Sequence, residues 1–271
     1  VDRSERSTKT WLRLVRELRD RGTRLRDGLC YVEGIRQVLA AAEGGHRIEV
    51  LLVDPSRLRS PLAWEQLDQL QAAGVPMTVL GPEEFERISS RDNPVGLAAV
   101  VRWRAQPLTY ADVAPDGVYL VADDVRDPGN LGTLIRTADG LGGAGVIIHG
   151  GTDAGHPTAI RASLGSLFRL PVYQAETRDD LFFWAGRNGV TTVATTAKAN
   201  TALWDAPVGL PVALLLGNEA EGLSEETRAR CDLEVGIPMT GAVSSLNVSV
   251  AAGIFLYELQ RRKALNGFGE A

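Results

Sequence analysis

Three short segments carry the residues whose types and spacing could do chemistry, and each follows an apolar run of strand type. The first runs Asp127-Pro128-Gly129-Asn130-Leu131-Gly132-Thr133-Leu134-Ile135-Arg136. It reads as a helix with Asn130 as N-cap and Leu131, Leu134, Ile135 and Ala138 as its core face. Gly132, Arg136 and Gly140 fall at i, i+4 and i+8. An arginine with glycines one turn to either side is open to a bulky anion, whose oxygens its planar guanidinium can bind in pairs. A surface arginine on a weak helix would look the same. Two helix glycines, each costing about 1 kcal/mol in propensity, tilt the reading toward function.

The second segment runs Gly217-Asn218-Glu219-Ala220-Glu221-Gly222-Leu223-Ser224 after Leu214-Leu215-Leu216. Its glycines would let backbone pass close to a ligand. Glu219 and Glu221 are either a working carboxylate pair or two solvated loop acids, and Ser224 caps the helix that follows. The third segment, Ile237-Pro238-Met239-Thr240-Gly241-Ala242-Val243-Ser244-Ser245-Leu246-Asn247, opens an apolar helix with a polar turn. Plain N-capping by Ser245 explains it as well as a ligand does.

Several chemistries are excluded. His46, His149 and His156 lack metal-ligand spacing, and no HExxH, GxSxG or GxxxxGK[ST] pattern occurs, so no metal is expected. The strand at 118–122 leads into no GxGxxG, which disfavours a dinucleotide oxidoreductase. Cys30 and Cys231 stand far apart and read as reduced thiols. Apolar runs are of strand length, so no membrane span is expected. The opening VDRSERSTKT holds no apolar signal segment. The expected location is the cytoplasm.

The net charge of −5 is uneven. Residues 1–60 hold 13 Lys/Arg against 9 Asp/Glu, and the remainder 16 against 25. A basic front on an acidic body suits an anionic partner docked at one place. Arginines outnumber lysines 26 to 3, as GC-rich coding alone would produce.

The elements that must position these residues form two α/β series. Residues 10–26 read as one amphipathic helix. Trp11, Leu14, Val15, Leu18 and Leu25 make its apolar stripe, and Arg13, Arg16, Arg19, Arg24 and Arg26 its other faces. It is either a solvated charged helix or a phosphate-contacting one. Helices at 35–43, 61–73 and 82–88 alternate with strands at 48–53, 77–80 and 96–103. Residues 105–117 read as a linker. Beyond it, strands at 118–122, 145–148, 170–173, 190–195, 212–216 and 233–237 alternate with helices at 131–140, 159–164, 178–188, 224–231 and 246–264. Continuous apolar strands predict a parallel sheet covered by helices. The expected division is a leader (1–27), a small α/β domain (28–104), the linker and a second domain (118–271).

In this order and spacing the three segments resemble the motifs of the SpoU (TrmH-like) RNA 2′-O-ribose methyltransferases of the SPOUT superfamily. Arg161-Ala162-Ser163-Leu164-Gly165 through Pro171 is similar to the region between the first two motifs. The stretches 31–35 and 94–101 resemble an L30e-like RNA substrate-recognition domain. The resemblance implies an α/β fold whose C-terminal parallel sheet carries a deep trefoil knot. It implies S-adenosylmethionine as cofactor, at Gly217, Ile237 and Leu246 with Met239 and Ser245 nearby. It also implies a homodimer whose active sites are completed across the interface, with Arg136 as catalytic residue and Asn130, Glu219, Ser245 and Asn247 around it. A guanidinium offers no acceptor, so Arg136 as general base is uncomfortable. An easier role is gripping a phosphate and stabilising the 2′-oxyanion, with Glu219 or water taking the proton. The implied substrate is 23S ribosomal RNA, contacted through Arg13, Arg16, Arg19, Arg24 and Arg26, with a role in resistance to ribosome-targeting antibiotics of the avilamycin type. Transfer RNA methylation and a non-catalytic RNA-binding protein are the alternatives.

Overall fold

In the computed structural model, which describes residues 7–267, the chain divides into two units. One holds the residues up to Arg104 together with Gly155–Arg169, and the other holds Ala105–Ala154 and the chain from Leu170 onward.

The first unit runs α1 (Thr8–Glu17), α2 (Arg21–Asp27), β1 (Leu29–Glu33), α3 (Ile35–Glu43), β2 (Ile48–Val53), α4 (Pro61–Ala72), β3 (Met77–Val79), α5 (Pro82–Ile88) and β4 (Leu97–Arg102). The strand order is β1-β4-β2-β3. Strand β4 is antiparallel to β1 and to β2, and β3 is parallel to β2.

The leader is two helices rather than one. Asp20 accepts from the Thr23 backbone N–H at 2.7 Å and starts α2 afresh. Arg24 is buried, and its Nη1 donates to the Leu18 and Arg19 carbonyls at 2.8 Å each, satisfying backbone at the end of α1. The break turns Leu25 out of the expected stripe, to 52% exposure. Nor is the leader a separate arm. Trp11, Leu12, Val15 and Leu18 share one buried cluster with Tyr31, Phe85 and Ile88.

The second unit begins with β5 (Gln106–Pro107) and β6 (Val118–Asp123), followed by α6 (Pro128–Gly140) and β7 (Gly145–His149). Next in the chain comes α7 (Pro157–Ser163), which belongs to the first unit. The second unit resumes with β8 (Val172–Ala175), α8 (Arg178–Asn188), β9 (Thr191–Thr195), β10 (Thr201–Ala202), β11 (Val212–Leu216), α9 (Glu225–Arg230), β12 (Leu233–Gly236) and α10 (Val248–Gly267). Its sheet has the order β10-β12-β9-β11-β6-β7-β8-β5 with every pairing parallel, as the apolar runs predict. One face buries Tyr119, Val121, Ile147, Leu181, Trp184, Ala213 and Leu215 together. Helix α10 packs on α6. Strands β1, β5 and β10 lie outside the expected set.

Two expected boundaries shift. Residues 155–169 pack with the first unit, where α7 lies on β1 and the Phe168 and His46 rings form a T-shaped pair with centroids 5.4 Å apart. The apolar residues Ala159, Ile160, Leu167 and Phe168 promise burial without saying against what. The expected linker is packed as well. Leu108 is buried, and the Tyr119 hydroxyl donates to the Asp112 carbonyl at 3.0 Å while accepting from Ala114 N–H at 3.1 Å.

The topology places the site. Leu216 pairs with Ala122, so the loops leaving β11 and β6 start side by side at the C-terminal end of the sheet. Ligands of open parallel sheets bind at that end.

Candidate active site

The side chain of Asn130 joins the three segments. Its Nδ2 donates to Glu219 Oε1 at 2.9 Å, and its Oδ1 accepts from Asn247 Nδ2 at 2.9 Å. Its backbone carbonyl accepts from Ser249 Oγ at 3.0 Å. Glu219 reaches back to the start of α6, its two oxygens accepting from the Asp127 and Arg126 backbone N–H groups at 3.4 Å. With donor and acceptor ends both used, the Asn130 amide is held in one orientation. Glu219 and Asn247 are exposed, so the chain faces solvent and a substrate could reach it.

The local reasons differ from the expected ones at four places. The N-cap of α6 is Asp127, which accepts from Asn130 N–H at 2.7 Å, so Asn130 sits inside the first turn with its side chain released for the network. The opening of α10 is held by Asn247, not Ser245. Asn247 Oδ1 accepts from Ser249 N–H at 2.9 Å, and its carbonyl accepts the first helical bond from Ala251. Gly132 is buried, so it clears no space for an anion, whereas a Cβ on Gly140 would meet nothing. Gly217 is needed by the loop itself. A Cβ there would stand 2.2 Å from the Gly222 carbonyl carbon, because the loop closes between Asn218 and Gly222. Ser224 caps α9 as expected, accepting from Thr227 N–H at 3.1 Å.

Arg136 is exposed on α6 and makes no hydrogen bond or ion pair with any described residue. No hydrogen bond links it to Asn130, Glu219 or Asn247. Such a guanidinium keeps all its donors for a ligand. Ser245 is likewise exposed with no bonded partner among the described residues.

The loop at 237–246 is unusual in its backbone. Among the described residues none of its N–H or C=O groups is hydrogen-bonded, whereas Gly236 and Asn247 at its two ends are. Ile237, Met239 and Leu246 are half-buried beside these free groups. Unspent backbone donors and acceptors with apolar side chains among them suit a heteroaromatic ligand such as adenine, so the donor set fits an adenosine cofactor. No group of three His, Cys, Asp or Glu among the described residues could hold a metal, and no described helix is long and apolar enough to cross a membrane.

Two site residues escape the sequence reading. Asn218 is buried; its Nδ2 donates to the Asp124 carbonyl at 3.2 Å, and its Oδ1 accepts from Ala220 N–H at 2.8 Å. Asp124 adopts a left-handed φ of 58°, the kind of strain that gathers at functional loops. Its bond from Arg126 at 2.7 Å holds its carboxyl below the usual range. The only sequence signal was an Asn and an Asp at strand ends, where αL residues are common.

The five leader arginines divide. Arg13, Arg16, Arg19 and Arg26 are exposed. Arg13 pairs with Glu17 at 3.6 Å, Arg19 donates to the Arg87 carbonyl at 3.3 Å, and Arg26 is bonded to Asp27 at 2.8 Å. Arg24, buried and spent on two carbonyls, is removed from the phosphate-contacting set.

Residues 117–257 match the SpoU rRNA Methylase family, and residues 10–99 match the MRM3-like substrate binding domain. The chain is 34% identical over 253 residues to the 23S rRNA (uridine(2479)-2'-O)-methyltransferase of Streptomyces viridochromogenes, covering 91% of this chain and 87% of the relative. It is 31% identical over 224 residues to the 23S rRNA (guanosine(2553)-2'-O)-methyltransferase RlmP of Bacillus subtilis, covering 80% and 87%. Among solved structures it resembles the SpoU methyltransferase AviRb from Streptomyces viridochromogenes in complex with the cofactor AdoMet. The TM-score is 0.87 at 31% identity, over 96% of this chain and 99% of that one.

Proposed function

The chain belongs to the SpoU rRNA methylase family, and from that premise we propose that it transfers a methyl group from S-adenosylmethionine to a ribose 2′-oxygen of one nucleotide in 23S ribosomal RNA. The observation that carries this reading is the hydrogen-bonded chain Glu219–Asn130–Asn247, which ties all three motif segments together at the C-terminal end of a parallel sheet.

S-adenosylmethionine supplies a methyl group already activated by a sulfonium sulfur, so the protein's task is alignment and charge management. The loops bearing Gly217, Ile237, Met239, Ser245 and Leu246 hold it, the unbonded backbone at 237–246 meeting its polar edges. The free guanidinium of Arg136 binds the phosphate beside the target ribose and stabilises negative charge as it develops on the 2′-oxygen. Three N–H donors already engage the Glu219 carboxylate. Glu219 therefore acts as the anchor of Asn130, and the 2′-hydroxyl proton leaves to water. The methyl–sulfur bond breaks as the methyl–oxygen bond forms.

The reading includes a homodimer and a knot made by the loops after β11 and β12. Val250, Tyr257 and Leu265 leave an exposed apolar stripe at helical spacing on α10, suited to a second copy. It also includes the cytoplasm as location and the first unit as the RNA-recognition domain, with Arg13, Arg16, Arg19 and Arg26 toward phosphates.

The test is incubation of the protein with labelled S-adenosylmethionine and unmodified 23S rRNA, with tRNA in parallel, then nuclease digestion and mass spectrometry. One 2′-O-methyl nucleotide in 23S rRNA is the expected result, and its address makes resistance to avilamycin-type antibiotics directly testable. Methylation of tRNA alone would move the substrate. Cofactor binding without transfer to either RNA would move the substrate to an assembled ribosomal particle or make the chain a non-catalytic RNA-binding protein.

A further inference from the structure

Two adjacent residues of the loop after β11 reach across to the loop after β6. Glu219 accepts from the Arg126 and Asp127 N–H groups and from the Asn130 amide. Asn218, one position earlier, takes Asp124. Its Nδ2 donates to the Asp124 carbonyl at 3.2 Å and lies 3.5 Å from Asp124 Oδ2. Its Oδ1 accepts from the Ala220 and Glu221 N–H groups at 2.8 and 3.4 Å. The side chain is buried, and with a donor needed at one end and an acceptor at the other its amide has one orientation.

Asp124 is the residue that needs holding. Its φ of 58° is left-handed, a conformation an L-residue keeps only where its surroundings over-determine it. Its N–H donates to the His149 carbonyl at 2.8 Å, its Oδ1 accepts from Gly151 N–H at 3.1 Å, and its Oδ2 accepts from Arg126 at 2.7 Å. Those partners lie on the loops after β6 and at the end of β7. Asn218 alone among them comes from the loop that carries Glu219. Two residues separate Asp124 from Asp127, so a rotation at Asp124 swings the N–H groups that Glu219 accepts. Asn218 and Glu219 thus pin both ends of one short span from neighbouring positions.

We propose that Asn218 is a positioning residue for methyl transfer. It locks the left-handed turn at Asp124, which sets where Glu219 meets the start of α6 and so where the Asn130 amide points. The inference rests on the methyltransferase reading and adds to it a residue that touches neither RNA nor cofactor.

Two variants of the full chain test it, with kcat counted per molecule that binds S-adenosylmethionine. Asn218→Ala removes the amide. Asn218→Asp keeps the acceptor for Ala220 and Glu221 but sets a second carboxylate against Asp124. Both should lose about 10²-fold in kcat, the scale of a small misplacement near the reacting groups. The KM for RNA and the Kd for S-adenosylmethionine should stay within about threefold of wild type. Adding Asp124→Asn to Asn218→Asp restores a donor facing an acceptor with the two ends exchanged, and about tenfold of the lost kcat should return. A residue that only held the fold together would gain nothing from that exchange.

If both single variants keep kcat within about twofold of wild type on RNA that wild type methylates, Asn218 positions nothing and the methyltransferase reading stands. A loss confined to KM or to cofactor affinity would make Asn218 a binding residue and overturn the inference. So would a double variant no faster than Asn218→Asp. Failure of wild type to methylate any RNA would remove both readings together.

Discussion

Asn247 and Asn130, 117 positions apart, share a hydrogen bond of 2.9 Å from the Nδ2 of one to the Oδ1 of the other. That bond leaves the Asn130 Nδ2 to reach Glu219, so one amide fixes the distance between the loops after β6, β11 and β12.

Asn130→Ala should cut methyl transfer by about 10²-fold, the scale on which small misplacements of reacting groups act. Stability should change by no more than about 1 kcal/mol. A cycle with Asn247→Ala checks the link. The two changes should cost together about what either costs alone, and simple addition of their effects would sever the bond from function.

Arg136→Ala should leave the unfolding free energy from urea titration within about 0.5 kcal/mol of wild type, because the side chain is exposed and has no bonded partner among the described residues. Turnover should fall by about 10²–10³-fold, as for a lost oxyanion donor. A stability loss matching the activity loss would count against a role in the reaction.

Arg24 and Arg16 should separate structure from RNA contact. Arg24→Met should destabilise the fold by about 1–3 kcal/mol, since two carbonyls lose a buried donor. Arg16→Gln should leave stability unchanged, lower RNA affinity and reduce its salt slope by about one. Denaturant unfolding and filter binding at several salt concentrations report the two effects.

Glu258 makes stability pH-dependent. Hydrogen bonds from Arg261 and Arg262 hold its pKa at about 2 in the folded protein, against an ordinary 4.5. A depressed folded pKa contributes stability that is complete above the unfolded value and is lost as pH falls from there toward 2. Glu258→Gln should therefore lower the unfolding temperature at pH 7 and converge with wild type by about pH 2. A constant difference across that range would exclude the charge as its cause.

The second unit was largely legible in the chain. Val212–Leu216 is a strand because five apolar residues buried on both faces can be little else. Helix α8 spans Arg178–Asn188 as read, since Thr177 caps it and Gly189, at a φ of 64°, ends it. The residues of the three segments were legible for a related reason. Asn, Glu and Arg beside helix starts and strand ends are costly as filler, so their types stand out.

What the residue types left open was which polar group satisfies which. Asn130 and Ser245 looked like caps, yet Asp127 and Asn247 do that work, because any short polar side chain at a helix start competes for the same N–H groups and local backbone geometry decides. Arg24 looked like its neighbours on the leader until the chain broke at Asp20 and turned it inward.

By itself, the sequence determined the parallel α/β architecture and the residue types at the site, because apolar periodicity and helix signals act over neighbouring positions. Only the tertiary structure decided that 155–169 joins the first unit, that Gly217 is required by the backbone of Gly222, and that Asn130 is the joint between Glu219 and Asn247. Those outcomes are contacts between segments distant along the chain, and a chain's local preferences carry no record of which distant partner will meet them.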